Sequence, residues 1–370
     1  MIFYILLTIV AVFIARRVST KNSCGNTPIL FDERSVKNRI CMSGLFTLLF
    51  LPLFFRIDTG NDYPTYIERF HDIVRGNYVV TEKGFNIIVK FIYWFCNQEA
   101  YIYVFGFFAF FTVLFFLISI YRQSEDFKMS FFLFMTLGLY FQCFNTVRYY
   151  FALSLVLFAM EYAVKKDYFK FVVIILIASL FHKSSLLVLP IYILAGINWK
   201  RIAVILVTIF SLTGFIFKKQ YIKLLLILYP SYLEETEYIN EGGLSIINIL
   251  RCLIILALCL YYYEDAVRDN KKNRFYFYLN YAALIAYSCF YFIPFVSRIG
   301  YYMNICHILL LPSLIKEIKN DKQKKVIKVL VYTAGVVYFM VFLVKMAPGD
   351  YVKILPYKTW IFEKISFIPL

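Results

Sequence analysis

The sequence has no long polar stretch. Charged residues make up 17% of its 370 positions, 61% are hydrophobic, and mean hydropathy is +0.69. A soluble globule can bury a large core, but it cannot hide apolar runs spread along its whole length. Histidine is scarce: there are three, none beside another His or Cys at ligand spacing, so no metal or other cofactor is expected. The eight cysteines (Cys24, Cys41, Cys96, Cys143, Cys252, Cys259, Cys289 and Cys306) show neither metal spacing nor a disulfide framework. Most lie in apolar runs and read as small apolar filler. There is no internal repeat and no low-complexity linker. Acidic residues are few, 23 against 39 Lys plus Arg, for a net charge of +16. Such an excess raises nucleic acid as a partner, but no separate basic domain carries it. The basic residues fall in short clusters between apolar runs, as cytoplasmic loops do. The first charges, Arg16 and Arg17, follow the first apolar run, the reverse of a cleavable signal. That run is expected to be a retained helix with an outside N-terminus.

Apolar runs of membrane-helix character fall at 1–15, 41–55, 99–121, 129–145, 149–164, 168–182, 185–198, 201–217, 245–263, 275–294, 299–315 and 326–346. They predict an all-α, polytopic integral membrane protein of about 12 transmembrane helices, one domain over 1–370. Several runs are shorter than the roughly 20 residues a bilayer needs, so they tilt or borrow flanking residues. The short run 84–96, which holds Lys90, reads as an interfacial or re-entrant helix on the outer side. With an outside N-terminus, the inside loops carry 22 Lys plus Arg and the outside segments 14, the expected bias. The longest outside segments are 56–98, 218–244 and 347–370, and they are expected to cover the site.

A charge within a span costs about 2.5–3.5 kcal/mol at mid-depth, so each one at the membrane needs a reason. Five clusters stand out. Arg56, Asp58, Asp62 and Tyr66 follow the exit of the second run. Glu82 opens the short helix. Asn145 and Arg148 lie in a very short turn, His182, Lys183 and Ser184 in another, and Arg298 and Tyr301 in a third. All five land on the outer face. They predict a membrane-edge cavity holding Arg56, Arg148, Arg298, His182, Asp58 and Asp62. Arginine forks suit phosphate or pyrophosphate, and carboxylates or histidine suit hydroxyl activation.

In this order the clusters resemble the EpsG-like branch of the Wzy-type bacterial polysaccharide polymerases, which serve O-antigen, capsule and exopolysaccharide. The matching elements are Arg56, Asp58, Asp62 and Tyr66; Glu82-x-Gly84-Phe85; Asn145-x-x-Arg148 with Ala152; His182-x-Ser184 with Leu187 and Pro190; Arg298-x-x-Tyr301; and the tail Leu355-Pro356-Tyr357-Lys358. The family's Gln after the arginine is Tyr149 here.

The resemblance implies a fold like the ligase-related C-type membrane glycosyltransferases. It implies a polymerase in the bacterial inner membrane, working at its outer, periplasmic face without nucleotide sugars. The partners implied are an undecaprenyl-pyrophosphate-linked oligosaccharide and membrane lipid, with room for a chain-length regulator. Arg148 and Arg298 are expected to bind the pyrophosphate, and His182, preferred over Asp58, to be the base. Arg56, Asp62, Tyr66, Glu82, Asn145, Lys183, Ser184 and Tyr301 are expected to position substrate. A lipid-linked glycan ligase shares the donor and differs in acceptor. A flippase or transporter would place its charges nearer mid-membrane. A cell-envelope acyltransferase has less need of three arginines.

Overall fold

An apolar run in hydrocarbon must satisfy its own backbone, and a helix does so within one segment. The computed structural model describes residues 1–19, 33–97, 100–228, 243–293, 296–349 and 352–361. Among these, each of the twelve apolar runs is occupied by helix, several in pieces. No β-strand occurs among the described residues, only an isolated bridge between Arg56 and Thr359.

The centre is built from α1 (Ile2–Ala15), α2 (Glu33–Phe54), α5 (Tyr101–Gln123), α8 (Val147–Val164) and α9 (Tyr168–Ser179). Helix α5 packs between α2 and α8, and α8 packs on α9. Between α2 and α5 the chain forms α3 (Tyr63–Arg75) and α4 (Lys83–Cys96). The run 129–145 breaks into α6 (Phe127–Thr136) and α7 (Leu139–Gln142) at Gly138, whose φ of 77° suits glycine. After α9, a 3-10 turn over Lys183–Leu187 leads into α10 (Val188–Ala195). The second half holds α11 (Arg201–Ser211), α12 (Thr213–Ile216), α13 (Lys218–Leu228), α14 (Ile246–Tyr261), α15 (Lys271–Cys289), α16 (Val296–Asn304), α17 (His307–Glu317) and α18 (Asp321–Val341). There α15 packs against α14 and α16.

Five stretches are long and apolar enough to cross a membrane: Ser35–Phe54, Tyr101–Gln123, Val147–Val164, Val296–Glu317 and Asp321–Met346. Arg201–Ile216 and Lys218–Leu224, which meet at a 90° bend, make a sixth only when counted as one broken span. The other apolar helices run 10–17 residues.

The segment 56–98, expected to lie outside, is not a loop throughout. Helices α3 and α4 lay Tyr66, Phe70 and Phe85 onto Phe105 and Phe108 of α5, forming a separate buried aromatic cluster. The opposite face of α4 leaves Ile87, Phe91, Trp94 and Phe95 exposed, the two-faced pattern of a helix lying in a membrane interface. The start of α4 rests on the end of α9. Gly84 donates to the Leu180 carbonyl at 3.0 Å, and a Cβ there would come within 2.7 Å of the Leu180 side chain.

Candidate functional site

Helix N-termini carry partial positive charge, so a cation in a first turn works against helix stability. This fold places several there, Arg148 and Arg298 among them. Arg148 is the second residue of α8 and Arg298 the third of α16. Such a placement suits an anion.

Arg148 is held by Glu82, the residue just before α4. The second Glu82 oxygen accepts the backbone N–H of Lys183 at 3.1 Å. The Arg148 guanidinium lies 5.2 Å from the Phe85 ring centroid and 6.0 Å from that of Tyr66. The Tyr66 hydroxyl accepts the Arg148 backbone N–H at 3.3 Å.

His182 sits in the turn between α9 and the 3-10 segment. Its Nδ1 is 2.7 Å from Ser184 Oγ, which is 3.3 Å from the Tyr302 hydroxyl. Tyr149 packs edge-on against His182 and beside Tyr302, each at 5.2 Å between centroids, and donates to the Arg298 carbonyl at 2.7 Å. Burial first, then the charges of Arg298 and Arg148, lower the His182 pKa to about 3. The imidazole is therefore neutral at physiological pH.

A second cluster adjoins the first through residues 145–148. Asn145 Oδ1 accepts the Asp62 backbone N–H at 2.9 Å, just before α3. Arg56 turns inward. It is only 3% exposed, donates to the carbonyls of Phe144 and Thr59, and lies 4.9 Å from the Phe105 ring centroid. Burial lowers its pKa to about 10, which still leaves it charged. The tail docks on this corner. Ile57 donates to the Lys358 carbonyl at 3.1 Å, Gly60 to that of Lys353 at 2.9 Å, and Trp360 to that of Phe55 at 3.0 Å. Asp58 faces outward and pairs with Lys358 at 3.1 Å.

The structure thus brings together Arg148, Glu82, Lys183, His182, Ser184, Tyr66 and Arg298. Three expected members are placed otherwise. Arg56 is a buried clamp on the Phe144 carbonyl and borders a small apolar pocket with Leu53, Phe105 and Val147, apart from Arg148 and His182. Asp58 lies against the tail, without the pairing to Arg56 that their sequence spacing invited. Tyr301 points to Asn248, with which it shares a hydrogen bond, and its neighbour Tyr302 faces Ser184. Adjacent helix residues point about 100° apart, which the motif alone does not resolve. Tyr149 and Tyr302 were missed as site residues. The signal for Tyr149 was its standing where the family motif has Gln. Residues 229–242 and 362–370 of the expected covering segments lie outside the described residues.

With Arg148, Arg298 and Lys183 against one carboxylate, the cluster favours an anion beside a neutral imidazole. Neither a curated protein nor a solved structure matches the chain. The family model described as "EpsG family" matches residues 39–359. That span takes in both clusters and the docked tail, and the chain belongs to the EpsG family.

Proposed function

We propose that this chain polymerises a polysaccharide by moving a growing glycan from undecaprenyl pyrophosphate to a lipid-linked repeat unit. Membership of the EpsG family supports a membrane polysaccharide-polymerase-like role. The observation that carries the finer reading is the pair Arg148 and Arg298 in two helix first turns, with the neutral His182 within reach of both charges.

In this scheme the two guanidinium forks hold the donor pyrophosphate and stabilise the charge that grows as it leaves. With Nδ1–H donated to Ser184, His182 keeps its Nε2 lone pair to take the acceptor hydroxyl proton. The acceptor oxygen then bonds to the anomeric carbon as its bond to pyrophosphate breaks. Asp58 is less well placed, since Lys358 already holds its carboxylate. Tyr149 and Tyr302, both buried, position His182. The scheme includes twelve spans, a C-type glycosyltransferase fold and a site on the outer face of the bacterial inner membrane.

The test is a lipid-linked glycan profile from cells with and without the gene. Loss of long polymer with build-up of single lipid-linked units supports the polymerase. Normal polymer length with glycan untransferred to a final acceptor favours the ligase reading.

A further inference from the structure

Helix α16 has polar side chains on two of its faces. On one, Tyr302 meets Ser184. On the other, Tyr301 shares a hydrogen bond with Asn248 of α14. One turn along α14, Arg251 places Nη2 2.7 Å from Asn248 Oδ1. Its guanidinium lies 5.9 Å from the ring centroid of Tyr338, linking α14 to α18. Tyr287 of α15 closes the floor. It accepts from Asn304 at 2.9 Å and passes under Gly300, where a Cβ would come within 2.2 Å of its ring.

An arginine six residues into an apolar helix is costly, and such residues mark function by default. Tyr338 of α18 lies beside Arg251, and among the described residues no carboxylate forms a salt bridge with it. Its Nε is buried and has no hydrogen-bond partner among the described residues. Snorkelling would carry the side chain outward to the interface. Here it turns across to another helix. A guanidinium with unused donors, ringed by hydroxyls and bordered by lipid-facing apolar side chains, matches a phosphate that carries a hydrocarbon tail.

We propose that Arg251, with Asn248, Tyr301 and Tyr338, holds the phosphate headgroup of a second polyprenyl-linked substrate. Its tail lies along the exposed Leu250 and Ile254 of α14 and Val337 and Val341 of α18. This rests on the polymerase reading, in which two lipid-linked glycans meet at once. Donor and acceptor headgroups then sit on opposite faces of α16, about one helix diameter apart, roughly 10 Å.

The experiment counts bound lipid on the purified full-length chain in nanodiscs, by native mass spectrometry, with undecaprenyl pyrophosphate as probe. Wild type should carry two. Arg251→Met, which removes the charge and keeps an apolar body, should carry one and elute like wild type. Arg298→Ala should also carry one. Arg251→Lys and Asn248→Ala should weaken the second lipid tenfold or more and leave the first unchanged, which keeps the test open if Arg251→Met misfolds. Phosphatidylglycerol should not displace the second lipid. Two lipids on Arg251→Met, one on wild type, or displacement of the second lipid by phosphatidylglycerol would overturn the site. A wild type that binds two yet makes no polymer in the glycan profile overturns the function and leaves the site standing.

Discussion

One oxygen of Glu82 holds the Arg148 guanidinium while the other accepts the Lys183 N–H, so a single carboxylate ties the start of α8 to the turn carrying His182. Each side chain of the ion pair is 13% exposed. Glu82→Gln removes a charge-assisted bond worth about 1.5–3 kcal/mol. If that bond matters equally in the transition state, polymer formation should fall by roughly ten- to a hundredfold. Wild-type polymer levels in this variant would show that the tether is not used.

Arg148→Ala and Arg298→Ala should each abolish polymer while the protein remains in the membrane at normal level. Lysine at either position should rescue poorly, because it lacks the paired fork. Polymer gels alongside immunoblots of membrane fractions check both. Near-normal polymer in the alanine variants would remove the pyrophosphate-binding claim.

His182→Ala should block chain growth while lipid-linked repeat units accumulate. Asp58→Asn should keep most activity, since it alters an exposed pair with Lys358. Retained activity in His182→Gln would leave His182 a mere hydrogen-bond donor and return Asp58 to consideration.

The depressed pKa of His182 sets a pH dependence. Its folded pKa of about 3 lies below the ordinary 6.5, so the unfolded chain binds the extra proton between them. The stability linked to this group is fully present above pH 6.5 and is lost as pH falls toward 3. Thermal unfolding in detergent, from pH 7.5 down to 4.5, should show a steeper acid decline for wild type than for His182→Gln. Equal slopes would mean the imidazole is not held neutral.

Reporter fusions after residues 20, 130 and 268 should score cytoplasmic, and fusions after 75 and 235 external. An external signal at 268 would reverse the second half and scatter the site over both faces.

Much of the site was legible because its chemistry interrupts apolar sequence. Arg148, His182 and Arg298 stand out between runs, and their clustering follows from short turns at one end of a bundle. What stayed hidden was direction. Whether Arg56 points to solvent or to the Phe144 carbonyl depends on how the tail docks about 300 residues later. Tyr301 and Tyr302 are neighbours in sequence yet face different helices. Arg251 could have been flagged as a charge inside the run 245–263, but its neighbours on α15, α16 and α18 come only with the fold. The helices themselves were easy to place and their crossing count was not. Hydropathy marks the run, while breaks such as Gly138 decide whether one helix fills it.

The docked tail also orders events during synthesis. Tyr4 donates to the Ile354 carbonyl at 2.7 Å, and Phe3 stacks on Tyr357. The corner around Arg56 therefore joins residues separated by about 350 positions, made well apart in time. While the ribosome is still translating, Phe55, Ile57 and Gly60 lack the partners that residues 353–360 supply. This corner is completed only once residues 353–360 have been made. A stop codon before residue 352 should leave the helices inserted and this corner open, a form that quality-control proteases can distinguish from the finished chain.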